Sequence, residues 1–373
     1  MSLADKAKLL LIPSGYKTGK VYSVFPTDGD GDFTFSRTGE ATRINQGGLI
    51  ETVATQVPRI DHSGGGCPSL LLEPQRINYV PNQNVNSYGQ NLADVTLSNN
   101  TSPDGTINCF RVEGTSSGLR VGIATFNLTI GNTYTGSVYV KKVSGSDTAQ
   151  IVDVDFAAPQ TINITTEWQR FDITRTATQT TGRIFINVNQ IGDVIEVFGF
   201  QIEQGADSTS YIPTNGIIET RNADACNNAG NSDLFNDSEG VLYAQMGAEV
   251  DNGFIAISNG TTSNRISILL NKTNKTIRII CSSGGASQAD TTYTSPTSIS
   301  ENVKLALKYK KNDFALWVNG SEVLTDNSGL TPIGLSRYDF SVNTILPFYG
   351  KCKDLRVYNT ALTDAELTEL TTL

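Results

Sequence analysis

The sequence predicts an all-β protein with two antiparallel β-sandwich (jelly-roll) modules in tandem, preceded by an N-terminal leader with a short helix and a few strands. Charged residues make up 17% of the chain, while Gly, Ser, Thr and Asn are abundant. Such a composition disfavours long solvated helices and favours short strands joined by polar turns. Apolar and polar residues also alternate in many short runs at a spacing of roughly ten residues, which is typical of antiparallel sandwiches.

The net charge and the length of the apolar runs exclude several functional classes. The formal net charge is −9 and the pI is near 4.8, so the chain lacks the positive surface of a nucleic-acid-binding protein. No run approaches the roughly 20 apolar residues that cross a bilayer, and we therefore expect no membrane insertion. The run Leu9–Ile12 is too short to be the core of a secretory signal.

The five cysteines and the single histidine do not form a recognisable metal or redox motif. None of the cysteines is spaced as CxxC, so we expect no zinc site, no cofactor and no disulfide framework. Free and mostly buried thiols are the expected state, which is consistent with assembly in a reducing cytoplasm. The cysteines are Cys67, Cys109, Cys226, Cys281 and Cys352.

The leader, residues 1–85, opens with a helix signal. Ser2 and Asp5 have the spacing of a capping box and Pro13 stops a helix, which predicts one short helix from Ser2 to Leu11. Alternating aspartates in Asp28–Asp32 resemble the start of a calcium loop, but the later ligand positions do not fit. We therefore expect an acidic turn and no metal.

Four arginines of the leader could bind a phosphate or a glycan, or could pair with carboxylates. Arginines spread along strand ends commonly form bidentate pairs that fix loops, and acidic residues are present in the same segment. We therefore predict that these arginines pair with carboxylates. The arginines are Arg37, Arg43, Arg59 and Arg76, and their expected partners are Glu40, Glu51, Asp61 and Glu73.

The stretch Ile195–Cys226 marks the boundary between the two predicted modules. Its first part alternates, which predicts a half-buried strand with Val197, Gly199, Gln201 and Glu203 on one face and Phe198, Phe200 and Ile202 on the other. Gly205–Asn215 is rich in turn residues and is predicted to cross the surface as an exposed connection. A new series of strands follows, so the modules are assigned to residues 86–220 and 221–373.

Both modules carry further local signals. A polar, linker-like segment at Asn82–Gln90 precedes the first module. In the second, Val303–Tyr309 alternates with one apolar face, and Asn319-Gly320 favours a tight hairpin. Thr363 and Glu366 form a capping box for a final helix.

Several of these stretches resemble known families. The order SR-x3-ATR-x-N, GLIE, VPRID and LLLEPQR-x-N in the leader resembles a segment at the front of bacteriophage virion appendage proteins of the head fibre, neck or tail. TYTGSVYVK, TTEWQRFDIT and GFQIEQG-x4-SYIPT are similar to family 4-type carbohydrate-binding modules. The ending DLRVYN, followed by a turn of helix, resembles laminin-G/concanavalin-like lectin domains.

The resemblance to carbohydrate-binding modules implies that a sugar lies in a cleft or across one sheet and stacks on aromatic faces. Trp168, Tyr134 and Tyr139 are the weak candidates for glycan binding. Core packing is the alternative for each ring, and Trp168 stands where such modules bury a tryptophan. The calcium-binding aspartate of the lectin-like fold matches no position of this chain.

The resemblances together imply a non-enzymatic structural protein on the virion surface, made in the host bacterial cytoplasm. Its sandwiches would meet host surface polysaccharide, and its leader would attach to other virion structural proteins (capsid, neck or tail) or to sister chains of a homotrimer. A purely structural decoration protein is the first alternative, because sandwiches serve either role. A glycan-cleaving enzyme is the second, but it needs two positioned carboxylates, and spacing singles out no pair among the 37 acidic residues.

Overall fold

The computed structural model describes residues 2–81, 95–115, 119–152, 159–188 and 190–373, so the whole of the predicted linker Asn82–Gln90 lies outside the described residues. Within these ranges the chain consists of antiparallel sheets with two short helices, which confirms the all-β class. None of the helices described is long and apolar enough to cross a membrane.

The helices and strands follow one another with short connections. In chain order they are α1 (Leu3–Lys6), β1 (Leu9–Leu11), β2 (Tyr16–Lys17), β3 (Lys20–Val21), β4 (Phe33–Ser36), β5 (Ala41–Ile44), β6 (Ile50–Val53), β7 (Arg59–Asp61), β8 (Ser69–Leu72), β9 (Arg76–Asn78), β10 (Val95–Leu97), β11 (Phe110–Glu113), β12 (Leu119–Asn127), β13 (Thr133–Ser144), β14 (Thr148–Val152), β15 (Gln160–Asn163), β16 (Gln169–Thr176), β17 (Thr181–Val188), β18 (Val194–Gln204), β19 (Glu219–Arg221), β20 (Ala225–Asn227), β21 (Glu239–Ala248), β22 (Gly253–Ser258), β23 (Arg265–Asn271), β24 (Thr276–Ser283), β25 (Ala286–Thr294), β26 (Val303–Lys310), β27 (Asp313–Val318), β28 (Ser321–Asp326), β29 (Arg337–Asp339), β30 (Gly350–Tyr358) and α2 (Asp364–Thr371).

The chain divides into two compact units. Unit 1 contains residues 1–39, 53–74 and 223–373, and unit 2 contains residues 40–52 and 75–222. The predicted leader, residues 1–85, is therefore shared between the units. Its apolar run β8 pairs with β30, and Leu70–Leu72 are at most 3% exposed.

Unit 1 contains a sandwich of two antiparallel sheets, together with a small four-stranded sheet in the order β2-β3-β4-β20. One sheet has the order β28-β27-β26-β21-β30-β8-β7, with β1 also paired to β30, and the other has the order β25-β24-β23-β22-β29. Apolar side chains from both sheets form one core, for example Leu242 and Leu305 from the first sheet and Ile255 and Ile266 from the second. This arrangement removes one face of each sheet from water, as a sandwich requires.

The first residues of unit 1 depart from the predicted helix. The capping box of Ser2 and Asp5 is present, but the helix ends at Lys6. Leu9–Leu11 instead form β1, fully buried and paired with β30 in the register Leu9↔Val357. The prediction of a helix to Leu11 was wrong because three consecutive leucines are buried better in a sheet that is covered on both faces. The second capping box, of Thr363 and Glu366, is confirmed at α2.

A buried cluster of charges joins distant segments within unit 1. Arg59 pairs with both Glu73 and Asp224, and Arg37 Nη1 lies 3.1 Å from Asp224 Oδ1. The Glu73 backbone N–H donates to Asp224 Oδ2 at 2.9 Å. These four side chains are at most 2% exposed. Burial alone would lower the pKa of Arg59, but the charges of Asp224 and Glu73 raise it above its ordinary value.

The expected arginine–carboxylate pairing is confirmed for Arg59 and for Arg43, whose Nε lies 3.0 Å from Glu51 Oε2. Arg37 pairs with Asp224, outside the leader. The five cysteines are free and four of them are buried, as expected; Cys67 is exposed.

Substituting Asp224→Asn should strongly destabilise unit 1, because Arg37 and Arg59 would keep their buried charges and lose their shared partner. We expect the free energy of unfolding, measured with urea, to fall by about 3–5 kcal/mol. Asp290→Asn is the matched control, since Asp290 pairs with Arg278 at a site where the side chains are 35% and 43% exposed. That change should cost at most about 1 kcal/mol. Equal losses in the two variants would contradict the prediction.

Unit 2 is a second sandwich, with one sheet in the order β10-β11-β18-β13-β16 and another in the order β12-β17-β14-β15. Its core contains Val112, Val138 and Val197 from the first sheet, with Ile151 and Ile186 from the second. The hairpin β5–β6 belongs to the same unit. The outer face of the five-stranded sheet carries a separate apolar cluster, described next.

Candidate functional site

The strand β18 contains a β-bulge at Gly199. Ser137 of β13 pairs with Gln201, and Tyr139 pairs with Phe198, so β18 has one more residue than β13 between these pairs. Gly199 has φ +65°, in the left-handed region that glycine adopts without strain. An extra residue of this kind reverses the faces of a strand beyond it.

The bulge changes which side chains share a face. Val197 lies in the core of unit 2 together with Phe200 and Ile202. Phe198 lies in the separate cluster on the outer face. The predicted strict alternation was therefore wrong at Gly199, because it placed Val197 opposite Phe200.

Tyr211 packs over Gly199 and beside Phe198. A Cβ atom on Gly199 would lie 3.1 Å from Tyr211 Cε2 and 3.4 Å from Tyr139 Cδ2. The ring centroids of Phe198 and Tyr211 are 5.3 Å apart, and those of Phe198 and Tyr139 are 6.1 Å apart. Position 199 thus requires glycine for two reasons. The backbone is in the left-handed region, and two aromatic rings lie where a side chain would be.

Polar side chains of β18 hold the segment that carries Tyr211. Gln201 Oε1 accepts a hydrogen bond from the Ile212 N–H at 2.7 Å, and Glu203 Oε2 accepts one from the Thr209 N–H at 2.9 Å. The Thr42 hydroxyl donates to the Tyr211 carbonyl. All three polar side chains belong to buried residues, so they have exchanged water for these fixed partners.

The prediction that Gly205–Asn215 is an exposed connection was wrong for its central part. Tyr211 is 6% exposed and Ile212 is 5% exposed. The reason is the set of hydrogen bonds from β18, which ties this part of the connection to the sheet.

A cleft of about 450 Å³ opens beside Tyr211 in unit 2. This volume is within the range of about 300–1,000 Å³ that is usual for ligand pockets. The lining combines apolar and aromatic side chains with a carboxylate, an amide and hydroxyl groups. The lining residues are Ile50, Thr52, Leu97, Asp104, Asn108, Phe110, Phe198, Tyr211, Pro213 and Thr214.

Asp104 is the one acidic residue among these lining residues, and a turn fixes its carboxylate. Oδ1 accepts from Ser102 Oγ at 2.7 Å and from the Thr106 N–H at 3.0 Å. Asn108 Nδ2 donates to Oδ2 at 3.0 Å. Burial raises the pKa of Asp104, but the hydrogen bonds from Ser102, Thr106 and Asn108 outweigh it and hold the pKa below its usual value. The carboxylate is therefore ionised at neutral pH.

Tyr211 contributes a neutral phenol to the cleft. Burial, followed by the nearby charge of Asp104, raises its pKa well above the ordinary value, so the hydroxyl keeps its proton. That hydroxyl makes no hydrogen bond to any residue that the structure describes. It remains able to donate one to a ligand.

The structure places Tyr134 away from the cleft. Tyr134 is 2% exposed and lies in the core of unit 2. Its hydroxyl accepts a hydrogen bond from the Thr129 N–H at 3.0 Å. Its ring therefore has no exposed face on which a sugar could stack.

Tyr139 and Trp168 pack against the apolar cluster that contains Phe198 and Tyr211, but neither of them lines the cleft. Both are partly buried and pack against Phe198 and its neighbours. Trp168 Nε1 donates to the Thr101 carbonyl at 3.0 Å, and Lys141 Nζ lies 5.5 Å from the centroid of a Trp168 ring.

The residues that line the cleft were not predicted from the sequence. Gly199, a glycine inside an otherwise regular strand, was the signal that could have indicated an irregular strand at this position.

A metal site would need several His, Cys, Asp or Glu side chains close together in the part of the chain that the structure describes. No group of three or more His, Cys, Asp or Glu side chains there has the geometry to hold an ion. In the predicted acidic turn, Asp32 Oδ1 accepts from the Ser23 N–H at 2.9 Å, and Asn231 Nδ2 donates to Asp30 at 2.6 Å.

Gly199→Ala should destabilise unit 2 and disturb the cleft, since the new methyl group would press on Tyr211. Gly131→Ala is the matched control, because Gly131 has φ +87° and a Cβ atom added there would meet nothing within 4 Å. Both variants incur the left-handed conformational cost of about 1–2 kcal/mol. We expect Gly199→Ala to lower the free energy of unfolding by about 1 kcal/mol more than the control does, through overpacking. Equal values in urea titrations would show that the packing over Gly199 is not tight.

Comparisons with known proteins give limited information. No family model matches the chain, and no curated protein matches it. Among solved structures, the CBM40 module of a Ruminococcus gnavus IT-sialidase has a TM-score of 0.33 at 16% identity, covering 39% of this chain and 93% of that chain. Mouse laminin α1 domains LG4-5 have a TM-score of 0.27 at 10% identity, and the match covers 72% of this chain and 96% of that chain. The CBM22 tandem of Paenibacillus barcinonensis Xyn10C has a TM-score of 0.24 at 10% identity. The match covers 76% of this chain and 98% of that chain.

These scores are too low to support an argument about the ligand, the partners or the origin of this chain.

Proposed function

We propose that the cleft of unit 2 binds a glycan and that the protein is a non-enzymatic component of a bacteriophage particle that uses this cleft for adhesion to the host surface. The observation that carries the first statement is the combination of aromatic rings and hydrogen-bonding groups in one cleft of suitable volume. The second statement is supported by the resemblance of the leader motifs to those of virion appendage proteins.

The chemistry of the cleft suits a sugar. The Asp104 carboxylate and the Tyr211 hydroxyl offer an ionised acceptor and a neutral donor close to each other. A sugar ring presents hydroxyl groups that both donate and accept, and hydrogen bonds to a charged group are stronger than neutral ones. Phe198 and Tyr211 form an aromatic floor that offers a small apolar surface to the C–H groups of a sugar.

Binding without cleavage is the function that the acidic groups favour. Glycoside hydrolysis generally uses two carboxylates placed about 5–9.5 Å apart across the bond. Asp104 is the single acidic residue in the lining, and its oxygens already accept several hydrogen bonds. A low pKa also makes Asp104 a poor proton donor.

A purely structural decoration protein is the second candidate. Ile217 and Ile218 in unit 2 are 63% and 54% exposed. Two adjacent exposed isoleucines favour contact with another protein over contact with a sugar. In this alternative the sandwiches bind virion proteins only.

Adhesion through such a site depends on several copies. A single shallow cleft with few polar contacts is expected to bind near millimolar, roughly 4 kcal/mol. Linked copies, as in the homotrimer that the fibre resemblance implies, would raise the apparent affinity by a factor of about 100 or more.

Tyr211→Phe should weaken glycan binding about 5- to 10-fold, because it removes one hydrogen-bond donor worth about 1–1.4 kcal/mol and leaves the ring in place. Tyr139→Phe is the matched control, since it removes a neighbouring phenol that does not line the cleft. The measurement is binding of bead-clustered full-length protein to extracted host polysaccharide. If the wild-type protein ignores every host polysaccharide and binds purified virion proteins instead, the decoration function replaces adhesion.

Glycan binding should be insensitive to pH from about pH 8 to about pH 5, since Asp104 has a pKa below the ordinary aspartate value of about 3.9 and stays ionised there. Binding should fall at more acidic pH, where protonation removes the charged acceptor. In Asp104→Asn this acidic loss should be absent, and affinity should be lower throughout. A wild-type profile that titrates near neutral pH would show that another group controls binding.

A further inference from the structure

Exposed aliphatic side chains lie in the cleft lining and on segments next to it. Leu97 lines the cleft and is 65% exposed. Ile107, on the turn between the lining residues Asp104 and Asn108, is also 65% exposed. Leu49 is 40% exposed, and its Cδ1 lies 3.2 Å from where a Cβ on Gly105 of that turn would be. Single exposed aliphatic residues need no explanation, but Leu97 in the lining, with Ile107 and Leu49 next to other lining residues, gives this surface a local apolar character.

The aromatic floor offers little surface to a ligand, so aliphatic side chains of the lining, such as Leu97, must supply much of the apolar contact. Phe198 and Tyr211 are only 5% and 6% exposed, which leaves little of their surface available to a ligand. A sugar hydroxyl pressed against Leu97 would lose water without gaining a partner, which is unfavourable. A methyl group in the same place would gain from leaving water.

The charge of the cleft selects against acidic sugars. Asp104 is ionised, and no Lys, Arg or His is among the lining residues. Lys141 Nζ lies 3.3 Å from Glu196 Oε2, and the Arg170 guanidinium, which does not line the cleft, donates to the Thr209 carbonyl and the Ser137 hydroxyl. A carboxylate or phosphate on the ligand would meet a like charge without a compensating partner.

We infer that the cleft selects a neutral pyranose that carries a methyl group, either as a 6-deoxy sugar or as an acetyl substituent. This inference rests on the proposed glycan-binding function and adds the chemical class of the ligand. The methyl group lies against Leu97, while the ring hydroxyls bond to the Asp104 carboxylate and the Tyr211 hydroxyl.

The test compares two pairs of sugars that differ in the methyl-bearing group, using full-length protein and ligand titrations followed by NMR. The pairs are L-rhamnose with L-mannose, and N-acetyl-D-glucosamine with D-glucose. The first member of at least one pair should bind about 10-fold more tightly than the second, as expected for a methyl group in an apolar contact. Which pair shows the preference distinguishes the 6-deoxy group from the acetyl group.

Leu97→Asn should remove most of that preference, because it should weaken binding of the methyl-bearing sugar more than binding of its hydroxylated counterpart. Ile130→Asn is the control, because Ile130 is 59% exposed in unit 2 and does not line the cleft. Equal affinities within both pairs, or a preference that survives Leu97→Asn, would overturn the inference while glycan binding itself would stand. If none of the four sugars and no host polysaccharide binds, the proposed function fails together with the inference.

Discussion

The bulge at Gly199 is the constraint on which the cleft depends. In a regular strand Val197 and Phe200 would lie on opposite faces, whereas the extra residue lets both enter the core and leaves Phe198 on the outer surface. The same glycine leaves room for Tyr211 to lie directly over the strand. One backbone irregularity thus creates both the aromatic floor and the space for the segment that completes it.

Buried polar groups then make that arrangement specific. The buried side chains of Gln201 and Glu203 need hydrogen-bond partners, because burial removes their water. Backbone N–H groups of residues 209–212 are these partners. A second polar turn, centred on Asp104, forms another wall of the cleft. In unit 1 the cluster of Arg59, Glu73 and Asp224 has a comparable role, since it ties segments far apart in sequence. Such networks add little net stability but penalise alternative arrangements.

The sequence predicted features that depend on local patterns. The all-β class, the capping boxes at Ser2 and Thr363 and the apolar alternation of Val303–Tyr309 are all present. It did not predict the pairing of Leu9–Leu11 with β30, because partners more than 300 residues apart leave no local trace. It selected Tyr134 by residue type alone, and burial in the core removes that ring from any surface. The cleft was missed because a single glycine reversed the faces of its strand.

The most direct test of this account is a crystal structure of the full chain soaked with an oligosaccharide released from a polysaccharide that the protein binds. The account predicts the sugar in the cleft of unit 2, packed on Phe198 and Tyr211 and within hydrogen-bond distance of the Asp104 carboxylate. Sugar bound only to residues of unit 1, with the cleft vacant in the same crystals, would contradict it.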